Sequence, residues 1–189
     1  ALLALGNGVF HWEAATGALP AQGHGLRIGL GAGVLMIAVI GGRIVPSFTR
    51  NWLVRRPGGR LPAAPMQPFD RLALGVLALA IAAWVWAPGA VVTALLMAAA
   101  GILHLLRLAR WAGERSLSEP LLLVLHIAYA FLPLGAFALA AAVLLPGEAG
   151  GAGGVAAARA TAQHLWTAGA IGLMTLAVMT RATLGHTGH

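Results

Sequence analysis

The last thirty residues of the chain contain its clearest structural signal. From Leu165 to Leu184 every residue is apolar, glycine or threonine except one charged residue, Arg181. About twenty such residues have the length and composition of an α-helix that crosses the hydrocarbon core of a bilayer. This segment therefore predicts a membrane-spanning helix.

The composition extends this prediction to the whole chain. Of the 189 residues, 59% are hydrophobic and 9% are charged, whereas soluble domains carry about a quarter charged residues. The net charge of +7 comes from arginines scattered between apolar runs, and no nucleic-acid-binding motif accompanies them, so nucleic acid is excluded as a partner. The chain contains no cysteine, which excludes thiolate metal sites and covalently attached haem. These features predict an integral membrane protein surrounded by the lipid bilayer.

Apolar runs and helix-breaking residues divide the chain into five complete spans and a partial one at the N-terminus. We expect Pro46 to end the first complete span, Pro133 to lie inside the fourth, and the glycines of residues 147–155 to form a flexible loop. The predicted spans are the partial 1–12, then 24–45, 69–86, 90–106, 120–145 and the last helix.

These spans predict an all-α polytopic transmembrane helix bundle. We expect residues 1–189 to form a single transmembrane domain that is a fragment of a longer chain, because the sequence begins inside an apolar run too short to span. Arginines lie mainly in alternate loops, residues 43–71 and 107–115, and again at Arg181. The positive-inside rule makes these loops cytoplasmic.

Six histidines fall into two layers in this topology. Neutral imidazole suits both haem iron and copper, and histidines at equal depth on neighbouring helices are how helical bundles hold such metals. Any single histidine is explained equally well by an interhelical hydrogen bond or by a position at the membrane interface. The candidate metal ligands are His11, His24 and His164 at the outer face and His104, His126 and His186 toward the cytoplasm.

Two of these histidines, His24 and His164, are expected to act together, because each begins a span and lies on a stripe of small residues. At about 100° per residue, His186 returns to within about 40° of the direction of His164, so both are predicted to face the bundle interior. Arg43 and Arg181 each close a span. The sequence leaves two explanations open for these arginines, pairing with haem propionates and reaching the lipid–water interface.

Two segments carry a resemblance to a known family. GGRIVPSFTRNWL (41–53) and QHLWTAGAIGLMTLAVMTRATLGHTG (163–188) resemble the NnrS family of bacterial inner-membrane proteins. The resemblance covers nearly the whole chain and implies the C-terminal half of a haem- and copper-containing protein associated with denitrification and nitric oxide stress. It also implies that missing helices of the full-length chain are partners, and that His164, His186 and Arg181 are motif positions of unstated role.

Together these observations predict a bacterial inner-membrane protein that binds haem of type b, with copper as a further cofactor. The predicted role is nitric oxide metabolism, denitrification or resistance to nitrosative stress, and the sequence does not indicate whether the protein is an enzyme. The alternative is a transporter or permease fragment whose intramembrane histidines bind substrate or protons. Proton-coupled carriers usually have an intramembrane carboxylate, whereas every Asp and Glu here lies at or near a span end. A third reading is a non-catalytic assembly or metal-delivery subunit.

Overall fold

The computed structural model describes residues 1–56, 58–145 and 152–187, without the side chains of 152–156 and 185–187. Within these ranges the chain is helical and has no β-strand. Short 3₁₀ turns occur at Pro20–Gln22 and Gly113–Arg115, and a π-helical segment, Leu165–Leu173, joins the last two helices. The α-helices are α1 (Leu2–Ala15), α2 (His24–Leu53), α3 (Pro68–Trp86), α4 (Val91–Ala109), α5 (Pro120–Leu144), α6 (Ala152–His164) and α7 (Met174–Thr187).

Five helices are long and apolar enough to cross a membrane, namely α2, α3, α4, α5 and the continuous helix Ala157–Leu184. The central one is α5, which contacts α2, α4 and the whole last helix and whose Tyr129 and Leu132 are fully buried. On the outside, Leu79 and Leu95 are more than half exposed, which within a span means contact with lipid tails. The predicted all-α polytopic bundle is confirmed.

Two spans begin at prolines, of which Pro120 is at its predicted position. Pro68 and Pro120 lie in the first turn of α3 and α5, where the missing N–H has no helical partner to lose. Gln67 and Asp70 form a reciprocal capping box, in which the Gln67 N–H donates to Asp70 Oδ2 at 2.9 Å. Both helices therefore begin within one residue of their predicted positions.

The prediction that Pro46 ends the first complete span is wrong, because α2 continues through it to Leu53. An internal proline loses one helical hydrogen bond and costs about 3 kcal/mol. Here Val45, Thr49 and Leu53 are all fully buried or nearly so, so packing on both sides of the proline outweighs that cost. The Thr49 hydroxyl also donates to the Val45 carbonyl at 2.8 Å.

The last span differs from a regular α-helix. Of the glycine loop predicted at residues 147–155, residues 147–151 lie outside the described residues, but Ala152 to Val155 belong to α6, so the loop is shorter than predicted. The π-helical segment has wider turns, so each of its residues rotates the chain by less than an α-helical residue does. The common direction predicted for His164 and His186 therefore does not follow. His186 lies in α7, and its side chain is outside the described part.

Successive spans run in opposite directions, so their ends form two faces. The arginine-rich face holds the α2–α3 and α4–α5 loops and the end of α7. The opposite face holds the α1–α2 and α3–α4 turns and the start of the last span. At this opposite face the rings of His24 and Trp86, at the start of α2 and the end of α3, have centroids 5.5 Å apart.

The cytoplasmic location of the arginine-rich face stays a prediction, which reporter fusions test. A reporter fused after Arg60 is expected to behave as cytoplasmic, and one fused within residues 150–154 as periplasmic, because loops dense in arginine are retained on the cytoplasmic side. A topology reporter pair that is active on opposite sides measures this. The reverse pattern would place His24 and His164 at the inner face and contradict both predicted layers.

Candidate functional site

Four polar side chains from α3, α4 and α5 form a buried network near the arginine-rich face. Arg107 Nε donates to Asp70 Oδ1 at 2.7 Å, and its Nη1 donates to the Tyr129 hydroxyl at 2.9 Å and to the Ala38 carbonyl at 2.8 Å. His104 Nδ1 lies 2.8 Å from the Tyr129 oxygen. His104, Arg107 and Tyr129 have no exposed surface, and Asp70 is 3% exposed. We call Asp70, His104, Arg107 and Tyr129 the Asp70–Arg107 network.

Local structure explains how a charge comes to be buried here. The capping box fixes Asp70 in the first turn of α3, and α4 extends three residues beyond its predicted end at 106, so Arg107 is helical and points inward. A buried charge is tolerated where a partner and further hydrogen bonds satisfy it. The guanidinium lies against Gly42 of α2, where an added Cβ would overlap it. The glycine therefore makes the room that Arg107 needs.

The hydrogen-bond chemistry of the network assigns the tautomer of His104. Arginine only donates, so Arg107 occupies one lone pair of the Tyr129 oxygen. Of the two neutral tautomers of His104, the one in which the tyrosine proton donates to Nδ1 gives that proton an acceptor, and we adopt it. The other ring nitrogen, Nε2, then carries the proton. It is buried toward the Ala73 carbonyl without reaching normal hydrogen-bond geometry. A histidine in this state has no lone pair to offer a metal.

Aromatic and histidine side chains surround the network on its α5 side. The Trp111 ring packs edge-on against Tyr129, with centroids 4.5 Å apart. His126, one turn before Tyr129, has Nδ1 2.9 Å from the Leu122 carbonyl and Nε2 3.5 Å from the Thr49 hydroxyl. Since Tyr129 contacts His104, His104 and His126 lie within about a helical turn of each other in depth.

At the opposite face, His24 is held by Glu13. The Glu13 carboxylate accepts the backbone N–H groups of His24 and Gly25 at 2.7 and 3.2 Å, and so caps α2. The same carboxylate lies 3.6 Å from His24 Nδ1, and the imidazole is 45% exposed. A carboxylate beside one ring nitrogen orients an imidazole whose other nitrogen is available.

His164 lies on the rim of an apolar groove between α5 and the last span. Its Nδ1 is 2.7 Å from the Ala160 carbonyl, so this nitrogen carries the proton and Nε2 keeps its lone pair. The side chain is exposed. The groove has a volume of about 430 Å³ and is lined by Phe131, Thr161, His164, Leu165, Ala168, Gly169 and Leu173. We call it the His164 groove.

A comparison with known families matches residues 1–189 to the family described as NnrS protein. The chain belongs to the NnrS family. The resemblance noted in the sequence is therefore confirmed, and no curated protein or solved structure matches this NnrS chain.

The remaining predicted site residues of this NnrS chain are separated by the fold. His11 is exposed on α1, with its ring edge-on to Phe10. Arg43 is exposed and Arg181 lies over the Phe48 ring, both toward the arginine-rich face and away from His24. No contact links His24 to His164 among the described side chains, so their joint action stays a prediction.

The NnrS chain offers single histidines for a haem or copper ion instead of a preformed cluster. In the part that the structure describes, no group of three or more His, Asp or Glu could hold a metal ion. A haem needs one imidazole with a free nitrogen beside an apolar surface, and His164 meets this requirement. A copper site built from several side chains of this chain does not fit the described residues.

Sequence reasoning missed Asp70, Arg107 and Tyr129 as site residues. Asp70 was interpreted as a span end and Arg107 as part of a loop. Two features of the sequence indicate these residues. Gln67 and Asp70 have the spacing of a helix capping box. His104 and Arg107 are three residues apart, so they lie on one face of α4.

Proposed function

We propose that this chain is a haem-binding protein of the bacterial inner membrane that acts in nitric oxide metabolism, denitrification or resistance to nitrosative stress. Two findings support a more general form of this proposal, a nitric oxide-related membrane protein. The family indicates a nitric oxide-related protein, and five candidate spans make it a multi-pass membrane protein.

The observation that most supports haem binding is the hydrogen bond of His164, which leaves one ring nitrogen free. Its Nδ1 is committed to the Ala160 carbonyl, which leaves Nε2 as the nitrogen that can bind iron. Its groove supplies an aromatic side chain, Phe131, and small residues on the facing wall. An imidazole with one nitrogen oriented by a carbonyl is the usual arrangement of a metal-binding histidine.

In this proposal each part of the groove has a task. His164 Nε2 would bind the haem iron, and Phe131 would pack against the macrocycle. Gly169 lets the last span approach α5 closely, since an added Cβ there would overlap Phe131. A haem held at this position would supply an iron able to bind a diatomic molecule such as nitric oxide. Apart from Thr161 and His164, the lining is apolar.

His24 is the second candidate ligand at the same face. Its Nδ1 lies 3.6 Å from the Glu13 carboxylate, longer than a hydrogen bond, so Glu13 lies near the place that the carboxylate partner of a metal-binding histidine occupies. The buried histidines are less suited to ligation. His104 is committed to Tyr129. His126 has the same Nδ1–carbonyl contact as His164, but its side chain is buried and its Nε2 lies against the Thr49 hydroxyl, so a haem could not reach it.

Absorption spectroscopy tests the haem proposal. The purified protein is expected to show a Soret band and a type b pyridine haemochrome. Changes to partners of metal ligands commonly lower metal affinity 10- to 100-fold, so His164→Ala, which removes a ligand itself, is expected to lower haem per protein by about tenfold or more. Iron content and the haemochrome measure this.

The matched control is Gln163→Ala, because Gln163 is adjacent to His164 but does not line the groove. It is expected to keep the wild-type haem content. Equal haem content in the two variants would exclude His164 as a ligand, and wild-type protein without iron would favour the transporter reading.

A further inference from the structure

A second groove lies on the outside of the bundle between α2 and α7. It has a volume of about 240 Å³. The single polar side chain among its lining residues is Thr175, whose hydroxyl already donates to the Ile171 carbonyl at 2.7 Å. We call it the α2–α7 groove, and its lining residues are Met36, Ile37, Ile40, Gly41, Ile44, Met174, Thr175, Val178 and Met179.

The shape of this groove suits an extended hydrocarbon chain. Met36 and Ile44 are eight residues apart on α2, so the groove runs for about 12 Å along the helix, and therefore along the bilayer normal. Its volume is below the roughly 300–1,000 Å³ of sites for drug-sized ligands. A narrow apolar groove of this kind excludes a ring system as large as a haem.

Positive charge lies at the arginine-rich end of the α2–α7 groove. Phe48 follows Ile44 by one turn of α2, and Arg181 follows Val178 by one turn of α7. The Arg181 guanidinium carbon lies 4.6 Å from the centroid of the Phe48 ring, so the aromatic side chain holds the charge at the groove end. Arg43, next to Ile44, is exposed there. Neither α2 nor α7 contains an acidic residue.

We propose that the α2–α7 groove binds an acyl chain of an anionic phospholipid, and that Arg181 and Arg43 bind its phosphate. The apolar wall of the groove lies at the depth of the acyl chains, and the two arginines lie toward the membrane interface. A membrane phospholipid has its acyl chains and its phosphate in the same order. Arginine binds phosphate oxygens through paired N–H groups. Basic pockets between spans are a known type of anionic-lipid site.

Two variants separate the charge from the groove. Arg181→Gln keeps a polar side chain but removes the charge, and one arginine near an anionic surface contributes about 1 kcal/mol, or about fivefold in affinity. Met179→Trp places a bulky ring on the wall of the groove at a position that is 61% exposed, so that folding is preserved. The control for Arg181→Gln is Arg71→Gln, at an exposed arginine of α3. The control for Met179→Trp is Leu176→Trp, at a 64% exposed position of α7 that does not line the groove.

The test is native mass spectrometry of the protein purified with equal amounts of phosphatidylglycerol and phosphatidylcholine. Wild-type protein and both controls are expected to retain phosphatidylglycerol preferentially. Arg181→Gln is expected to retain it about fivefold more weakly, and Met179→Trp to lose the preference. Equal retention by Arg181→Gln and Arg71→Gln would overturn the proposal. So would a dimer that Met179→Trp dissociates without any lipid preference, because a second copy would then occupy the groove.

Discussion

Asp70→Ala is expected to lower the free energy of unfolding in detergent by about 3–5 kcal/mol, because it leaves the Arg107 charge buried without its carboxylate. Arg107 has no exposed surface, and its Nε bond to Asp70 is 2.7 Å long. The remaining partners, the Tyr129 hydroxyl and the Ala38 carbonyl, are neutral. Thermal or denaturant unfolding followed by circular dichroism measures the loss.

The same substitution also removes half of the capping box of α3, so a control must separate the two effects. Gln67→Ala removes the other half, worth about 1 kcal/mol, and keeps the ion pair. The double variant Asp70→Ala with Arg107→Met removes both charges and is expected to regain most of the lost stability, since apolar replacement of a buried pair is often neutral. A loss in Asp70→Ala no larger than in Gln67→Ala would show that the ion pair does not stabilise the bundle.

Gly135→Ala is expected to destabilise the contact between α5 and the last span by about 2–6 kcal/mol. An added Cβ would overlap the indole of Trp166, which is fully buried, and overpacking costs about 1–3 kcal/mol. The displaced indole would also lose the bond from its Nε1 to the Leu132 carbonyl, 2.9 Å long, and an unpaired buried group costs about 1–3 kcal/mol. The unfolding free energy in detergent measures the sum.

The control for this variant is Gly75→Ala on α3, where an added Cβ meets no atom within 4 Å. Alanine is a better helix former than glycine, so this variant is expected to be as stable as wild type or slightly more so. If Gly135→Ala matched it in stability, the close approach of α5 and Trp166 would not be needed for the fold.

Hydropathy and turn residues sufficed to predict the spans. The ends of α3 and α5 lie within one residue of their predicted positions, because prolines and the Ala87-Pro88-Gly89 turn mark them locally. Pro46 misled the prediction, because the packing that keeps α2 continuous comes from other helices. The π-helical segment could not be predicted either, since periodicity arguments assume one rotation per residue throughout.

The candidate site was predicted only in part, for a physical reason. Hydropathy assigns charged residues near a span end to the loop, and this is correct for exposed residues such as Arg71. Whether such a residue instead points inward depends on its neighbours in space, as Arg107 depends on Gly42 and Asp70. For the same reason, the sequence identified His164 as a candidate but not the groove beside it.

The Asp70–Arg107 network links some helices of the bundle to one another but not to the last span. It joins α3, α4 and α5 directly and reaches α2 through the Ala38 carbonyl, whereas none of its residues lies on the helix Ala157–Leu184. In the most apolar stretch of that helix, 22% of the residues are buried, compared with 39–44% of the residues in the same stretch of the other four spans. Because no charged link ties the last span to these helices, we expect it to separate first when the bundle is pulled apart.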